Sequence, residues 1–238
     1  MNEDLKISYM ILNCRPSQIS EIVIVPIVKF IINKFKNNLS NVSMHGITYK
    51  GKYNGKVISI VPATMGAPAA AVLMEALNKT KAKYILKVDY CGGLTPDINI
   101  GDILVADKAI CGDGTTPHYN NNLKFIESDP DLLFGLQKFF EQKKIKFKTG
   151  PIYTTDAIFR ETEELLNEAK KLGAISIDME TSILYLLGKL YDKKVISINI
   201  VSDKPDPKKK FDLKINSQLI DNMELLVKSV LEFVSGFS

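Results

Sequence analysis

The chain has 238 residues, 45% of them hydrophobic and 24% charged, with 14 glycines and 10 prolines. That is average globular composition, which excludes a disordered or fibrous protein and supplies a full core. Its 31 Lys and Arg against 27 Asp and Glu leave a formal charge of +4, with the lysines scattered, so the excess favours solubility and gives no reason to expect nucleic acid. In chain order, the β-branched run Glu21 to Val25 predicts a first buried strand, and Tyr49 to Lys56, with Gly and Asn where turns need positive φ, predicts a hairpin. A strand follows at Lys56 to Val61, a helix at Ala67 to Asn78, and strands at Tyr84 to Val88 and Asp102 to Ala106, the last two joined by a hairpin-like link at Asp97 to Asp102. Helices are predicted at Asp129 to Lys143, Glu161 to Leu172, Met179 to Leu190 and Gln218 to Phe233, with a strand at Lys194 to Val201. Asp129-Pro130 and Thr162 carry helix-start chemistry, and Gly173 is placed to end a helix.

The alternation of strands and helices predicts an α/β fold, with a central mixed, twisted β-sheet flanked by helices, over residues 1–238 as a single domain without repeats or linkers. No run approaches the roughly 18 apolar residues that span a bilayer, and the start lacks a basic flank before a long apolar stretch, so no membrane partner and a cytoplasmic location are expected. Three cysteines, Cys14, Cys91 and Cys111, without a C-x-x-C pair, and two histidines, His45 and His118, argue against a disulfide scaffold and a metal site. The run Lys204 to Lys210 (KPDPKKK) reads as a solvated loop after a strand.

In an open α/β sheet, ligands bind beyond the carboxyl ends of strands. Four segments qualify: Pro62 to Pro68 after Val61, Asp89 to Gly93 after Val88, Asp178-Met179-Glu180 after Ile177, and Ser202-Asp203-Lys204 after Val201. Taken with Gly51 to Lys56, Cys91-Gly92-Gly93-Leu94 and Thr155 to Phe159, these segments resemble, in order and spacing, the nucleoside phosphorylase family. That family includes purine nucleoside and uridine phosphorylases, methylthioadenosine phosphorylases and related nucleosidases.

The resemblance implies cleavage of a nucleoside's N-glycosidic bond through an oxocarbenium-like sugar. Asp203, at the family's acid position, would bind or protonate N7 of a purine, because a departing base leaves better when protonated. Glu180 would accept hydrogen bonds from the ribose 2′- and 3′-hydroxyls, and Met179 would line the sugar. Phe159 and Ile158 stand where the family stacks the base, Ile158 replacing an aromatic ring. Cys91, Gly92 and Thr64 complete the implied substrate contacts. The resemblance also implies a homo-oligomer built on dimers, up to a hexamer, and no cofactor beyond inorganic phosphate as co-substrate.

The acceptor site departs from the family pattern. Pro26 to Phe30 has neither the Gly nor the Arg of the family's first turn, leaving Lys29; an Arg usually donated by a neighbouring subunit aligns with Ser43; and the family's R-x-G-[ST]-C-G turn becomes Lys87-Val88-Asp89-Tyr90-Cys91-Gly92, with Lys for Arg, Asp for Gly and Tyr for the phosphate-binding hydroxyl residue. A carboxylate about 4 Å from a phosphate oxygen opposes it by roughly 4 kcal/mol at an effective dielectric near 20, unless Lys87 or Lys29 neutralises it. Three expectations therefore stand: phosphorolysis, favoured by the family; hydrolysis with Asp89 orienting water; and a non-catalytic nucleoside-binding homologue.

Overall fold

The computed structural model describes residues 3–208 and 217–237. Its strands are β1 (Ile22–Val25), β2 (Ser40–His45), β3 (Thr48–Tyr53), β4 (Lys56–Ile60), β5 (Tyr84–Gly93), β6 (Ile103–Cys111), β7 (Phe125–Glu127), β8 (Lys148–Thr154), β9 (Ser176–Asp178) and β10 (Lys194–Asp203). Its helices are α1 (Glu3–Leu12), before the first strand, α2 (Lys29–Asn38), α3 (Ala67–Asn78), α4 (Thr116–Tyr119), α5 (Pro130–Gln142), α6 (Glu163–Lys171) and α7 (Thr181–Leu190), between strands, and α8 (Ser217–Ser235), after the last. All ten strands join one mixed sheet. One end, β2-β3-β4-β1-β5, is open; at the other, β5, β10, β6, β8 and β9 pair in a ring, because β5 bonds to both β10 and β9.

Two apolar layers cover the sheet. On one face α3 and α7 contribute Met74, Leu77, Ile183 and Leu187, packed with Ile85, Val195 and Val201. On the other, α2, α5 and α8 contribute Phe35, Leu136, Phe140, Met223 and Leu231, packed with Leu86, Val88, Ile196, Ile198 and Ile200. Successive strand residues point to opposite faces, so the split of Ile85 from Leu86 fixes the side to which every later β5 residue turns. Each fully buried Leu or Ile contributes about 1.5–3 kcal/mol, and these layers hold the sheet around the polar groups described below.

Local chemistry sets several boundaries where the sequence places them. Gly66, at φ +103°, and Pro68 in the first turn open α3; the Asp129 carboxylate accepts from the Leu132 N–H at 2.8 Å at the start of α5; Gly173, at φ +90°, follows α6. Asn54 and Gly55, at φ +46° and +81°, form the turn between β3 and β4.

Two expectations are corrected. The link Asp97 to Asp102 joins no hairpin, since β10 lies between β5 and β6 and pairs with both. Its turn is local, with the Asn99 N–H donating to Asp102 Oδ2 at 2.8 Å. The predicted strands ending at Val88 and Ala106 continue to Gly93 and Cys111, because neighbouring strands keep supplying backbone partners after the apolar run ends. Asp89 to Gly93 is therefore paired strand and not a loop.

Candidate active site

Within the ring of strands, the side of β5 that carries Ile85 also carries Lys87, Asp89 and Cys91. Register pairs Lys87 with Ser197 and Asp89 with Asn199 on β10. Lys87 is fully buried. Its Nζ donates to Asp178 Oδ2 at 2.5 Å and to Asn199 Oδ1 at 3.3 Å, and lies 3.3 Å from Glu180 Oε2. Asp178 ends β9 and turns into α7: it also accepts from the Thr154 hydroxyl at 2.8 Å, the Thr181 N–H at 3.1 Å and the Thr181 hydroxyl. The start of the helix suits this charge, since its free N–H groups and dipole favour a carboxylate.

Glu180 follows two residues later, 3% exposed, and its Oε1 accepts from the Gly66 N–H at 2.8 Å. The left-handed Gly66 at the head of α3 is what brings that amide to the carboxylate. α7 is further fixed by Ser182, whose hydroxyl donates at 2.5 Å to the buried Asp113, which itself accepts from the Thr115 and Thr116 amides.

One cation thus faces Asp178, Glu180 and Asp89. Burial works against the Lys87 charge, but the three carboxylates outweigh it and raise its pKa. Asp89 is raised to about 7 by burial, against the pull of Lys87 and with the push of Glu180 and Asp178. Its Oδ1 is buried without a hydrogen-bond partner. Glu180 is raised by burial, with Lys87 opposing. Cys91 lies among these groups and close enough to Asp203 to feel it; burial pushes its thiol well above the ordinary range.

Asp203 is the last residue of β10, half-buried, paired in register with Gly92 after a shift in the ladder, and it accepts from the Ser202 hydroxyl at 2.7 Å. Burial raises its pKa, against the Ser202 hydrogen bond. Gly92 has no room for a side chain: a Cβ there would stand 2.8 Å from Pro205 Cγ and 2.9 Å from Ile177 Cγ2. The start of the Lys204 to Lys210 run accordingly packs onto the strand, and Lys204 reaches the Pro96 carbonyl at 3.3 Å. Lys209 and Lys210 lie outside the described residues.

The sequence missed Glu161. This half-buried side chain follows the 3-10 turn Ile158–Arg160 and is raised to about 7, first by burial and then by Asp203. Two carboxyls therefore oppose each other at the rim. Nothing in the sequence separated Glu161 from its neighbours Glu163 and Glu164, which are exposed on α6.

The remaining candidates divide. Met179 and Ile158 are half-buried, whereas Phe159 is 79% exposed. Tyr90 turns to the opposite face of β5 and packs with the α2, α5 and α8 layer, so it does not join Lys87 and Asp89; burial and then Asp89 raise its hydroxyl to about 12. Lys87 and Asp89, two residues apart, share one face of β5. Lys29 is exposed at the start of α2, and Ser43 is exposed on β2, its hydroxyl 3.0 Å from His45 Nε2. Thr64 is exposed and lines an apolar groove of about 420 Å³ with Ile11, Ile47, Pro68 and Val72. Among the described residues, no cluster of His, Cys, Asp and Glu is arranged to hold a metal ion, and no helix is long and apolar enough to cross a membrane.

Residues 27–235 match the model of the phosphorylase superfamily. The chain is 28% identical over 234 residues to a purine nucleoside phosphorylase DeoD-type from Buchnera aphidicola subsp. Acyrthosiphon pisum, covering 92% of this chain and 98% of that one. It is 32% identical over 167 residues to one from Caldanaerobacter subterraneus subsp. tengcongensis, covering 67% and 69%. Among solved structures it superposes on uridine phosphorylase from Vibrio fischeri ES114 with a TM-score of 0.81, at 24% identity over 91% and 92% of the two chains. It also superposes on the 5′-methylthioadenosine/S-adenosyl homocysteine nucleosidase of Campylobacter jejuni with a TM-score of 0.78, at 20% identity over 91% and 99%.

Proposed function

Because the chain belongs to the phosphorylase superfamily, we propose that it cleaves the N-glycosidic bond of a purine-type nucleoside. The observation that carries this reading is the pairing of a buried, amide-anchored carboxylate, Glu180, with a half-buried carboxyl of raised pKa, Asp203, around the same end of β5. Glu180 receives the ribose 2′- and 3′-hydroxyls, and its charge favours the cation that grows at the anomeric carbon. Asp203, kept nearer its neutral form by burial, gives its proton to N7 as the bond to the base lengthens. Met179 lines the sugar, and Ile158 and Phe159 border the base. Cys91 and Gly92 lie on β5 between the two carboxyl groups, and the absent Cβ of Gly92 is what lets Pro205 and Ile177 close onto the strand there.

The acceptor divides two readings. Phosphate, which would yield ribose 1-phosphate, is supported by the names of the sequence relatives. Water is supported by the charge of the Lys87 cluster, where the one cation already serves three carboxylates. Neither requires a bound cofactor. A homo-oligomer belongs to the same proposal, with exposed Met10, Met44, Met65 and Val72 as apolar surface available to a second copy.

The test follows free base from inosine, adenosine, methylthioadenosine and uridine. The proposal expects release from the purine nucleosides well above that from uridine; preference for uridine would contradict the purine assignment, and release from none would contradict the reaction.

A further inference from the structure

We infer that the group attacking the anomeric carbon is water, and that Asp89 positions it and takes its proton. The inference rests on the glycosidic reading above. Its first support is steric and electrostatic: Lys87 Nζ is fully buried and committed to Asp178 at 2.5 Å, Glu180 at 3.3 Å and Asn199 at 3.3 Å. A lysine so held does not present a free charge to an incoming dianion, and it lacks the planar fork that fits a phosphate. With Asp178, Glu180 and Asp89 around that one cation, an entering phosphate meets more negative than positive charge.

The second support is Asp89 itself. It is 7% exposed, it stands on the same face of β5 as Lys87, and its Oδ1 is buried with no hydrogen-bond donor. An unpartnered buried carboxylate oxygen costs stability and marks a place where a donor is expected; a neutral water donates to it where an anion is repelled. The groups that act on Asp89 are Lys87 on its own strand, Asp178 and Glu180 at the head of α7, the Tyr90 backbone N–H, which hydrogen-bonds its carboxyl, the Cys91 thiol and, from the other face of the strand, the Tyr90 hydroxyl. This balance leaves Asp89 titrating about 7, where a carboxylate is basic enough to accept a proton from attacking water.

The step balances. One lone pair of water oxygen forms the bond to C1′, the C1′–N9 pair leaves with the base, Asp89 takes one water proton, and Asp203 supplies one to N7. The products are ribose and neutral base, and solvent returns a proton to Asp203 and removes one from Asp89.

The test uses the full chain with inosine and adenosine, separating ribose from ribose 1-phosphate. The inference expects ribose in phosphate-free buffer, at a rate that added inorganic phosphate leaves unchanged. It expects Asp89→Asn to lower kcat about 100-fold while KM moves only a few-fold, and formate to restore turnover to Asp89→Gly. Base release that requires phosphate and yields ribose 1-phosphate overturns the inference while leaving the glycosidic reading intact. Undiminished kcat in Asp89→Asn, or failure of formate to rescue a folded Asp89→Gly, overturns the role of Asp89. No release under either condition overturns the glycosidic reading and the inference with it.

Discussion

The sugar side and the base side of the proposed site are built in opposite ways. On the sugar side, Lys87, Asp178 and Glu180 are all but sealed from solvent, and Thr154, Thr181, Asn199 and the Gly66 amide tie them into one network. On the base side, Asp203, Glu161 and Ile158 are half-buried and Phe159 is 79% exposed. The contrast separates two tasks. Positioning a sugar and its charge demands groups fixed before the ligand arrives, whereas the base meets a rim with one proton donor and little enclosing surface. Geometry at the glycosidic carbon should therefore be strict and choice among purine bases loose.

The comparison breaks most severely at Lys87. Lys87→Met leaves three buried carboxylates without their cation and should cost about 3–5 kcal/mol of stability, read from denaturant unfolding. Lys87→Arg, which keeps the charge, should lose much less. Equal stability of Lys87→Met and wild type would show the network to be ornamental. Next in size, Glu180→Gln removes the charge at the sugar but keeps shape and the partner amide, and should lower kcat/KM about 100- to 1,000-fold with the fold intact.

A subtler effect is the pH dependence of stability. Asp89 titrates about 7 when folded, above its ordinary value of 3.8, so between those values the folded state holds a proton that the unfolded state has released. Its contribution is complete below about pH 4 and is lost as pH rises through about 7. Wild type should thus lose about 2–4 kcal/mol more than Asp89→Asn on going from about pH 4 to about pH 8, measured by urea unfolding; parallel curves would refute the burial of a titrating Asp89. The smallest effect is expected at the open rim: Phe159→Ala should change stability by less than about 0.5 kcal/mol and raise KM for purine nucleosides only a few-fold.

How far the sequence carried the fold differs by element. α3, α5 and the β3–β4 turn were legible because their signals are local: Gly66 and Pro68, Asp129 and Pro130, Asn54 and Gly55. β8 and β9 were not, since Lys148–Thr154 includes Gly and Pro and Ser176–Asp178 has only three residues. They become strands because partners on β6 and β5 supply their ladders. The extension of β5 past Val88 was hidden for the same reason: Lys87 and Asp89 find partners on β10 more than a hundred positions away.

Candidate residues followed the same rule. The resemblance singled out Glu180, Asp203 and Lys87, which the structure brings into one electrostatic neighbourhood through Cys91, Asp178 and Asp89. The resemblance implies no role for Asp178, yet it holds Lys87 more closely than Glu180 does. Tyr90 was grouped with its chain neighbours although strand alternation sends it to the other face. Glu161 left no trace in the sequence, because its meeting with Asp203 depends on how the 3-10 turn is set against the end of β10.

The most direct measurement compares base release from inosine by wild type and by Asp203→Asn, both confirmed folded. Wild type is predicted to liberate hypoxanthine and the variant to do so about 100-fold more slowly or less, since the amide offers no carboxyl proton to N7. Equal rates in the two proteins would contradict the account.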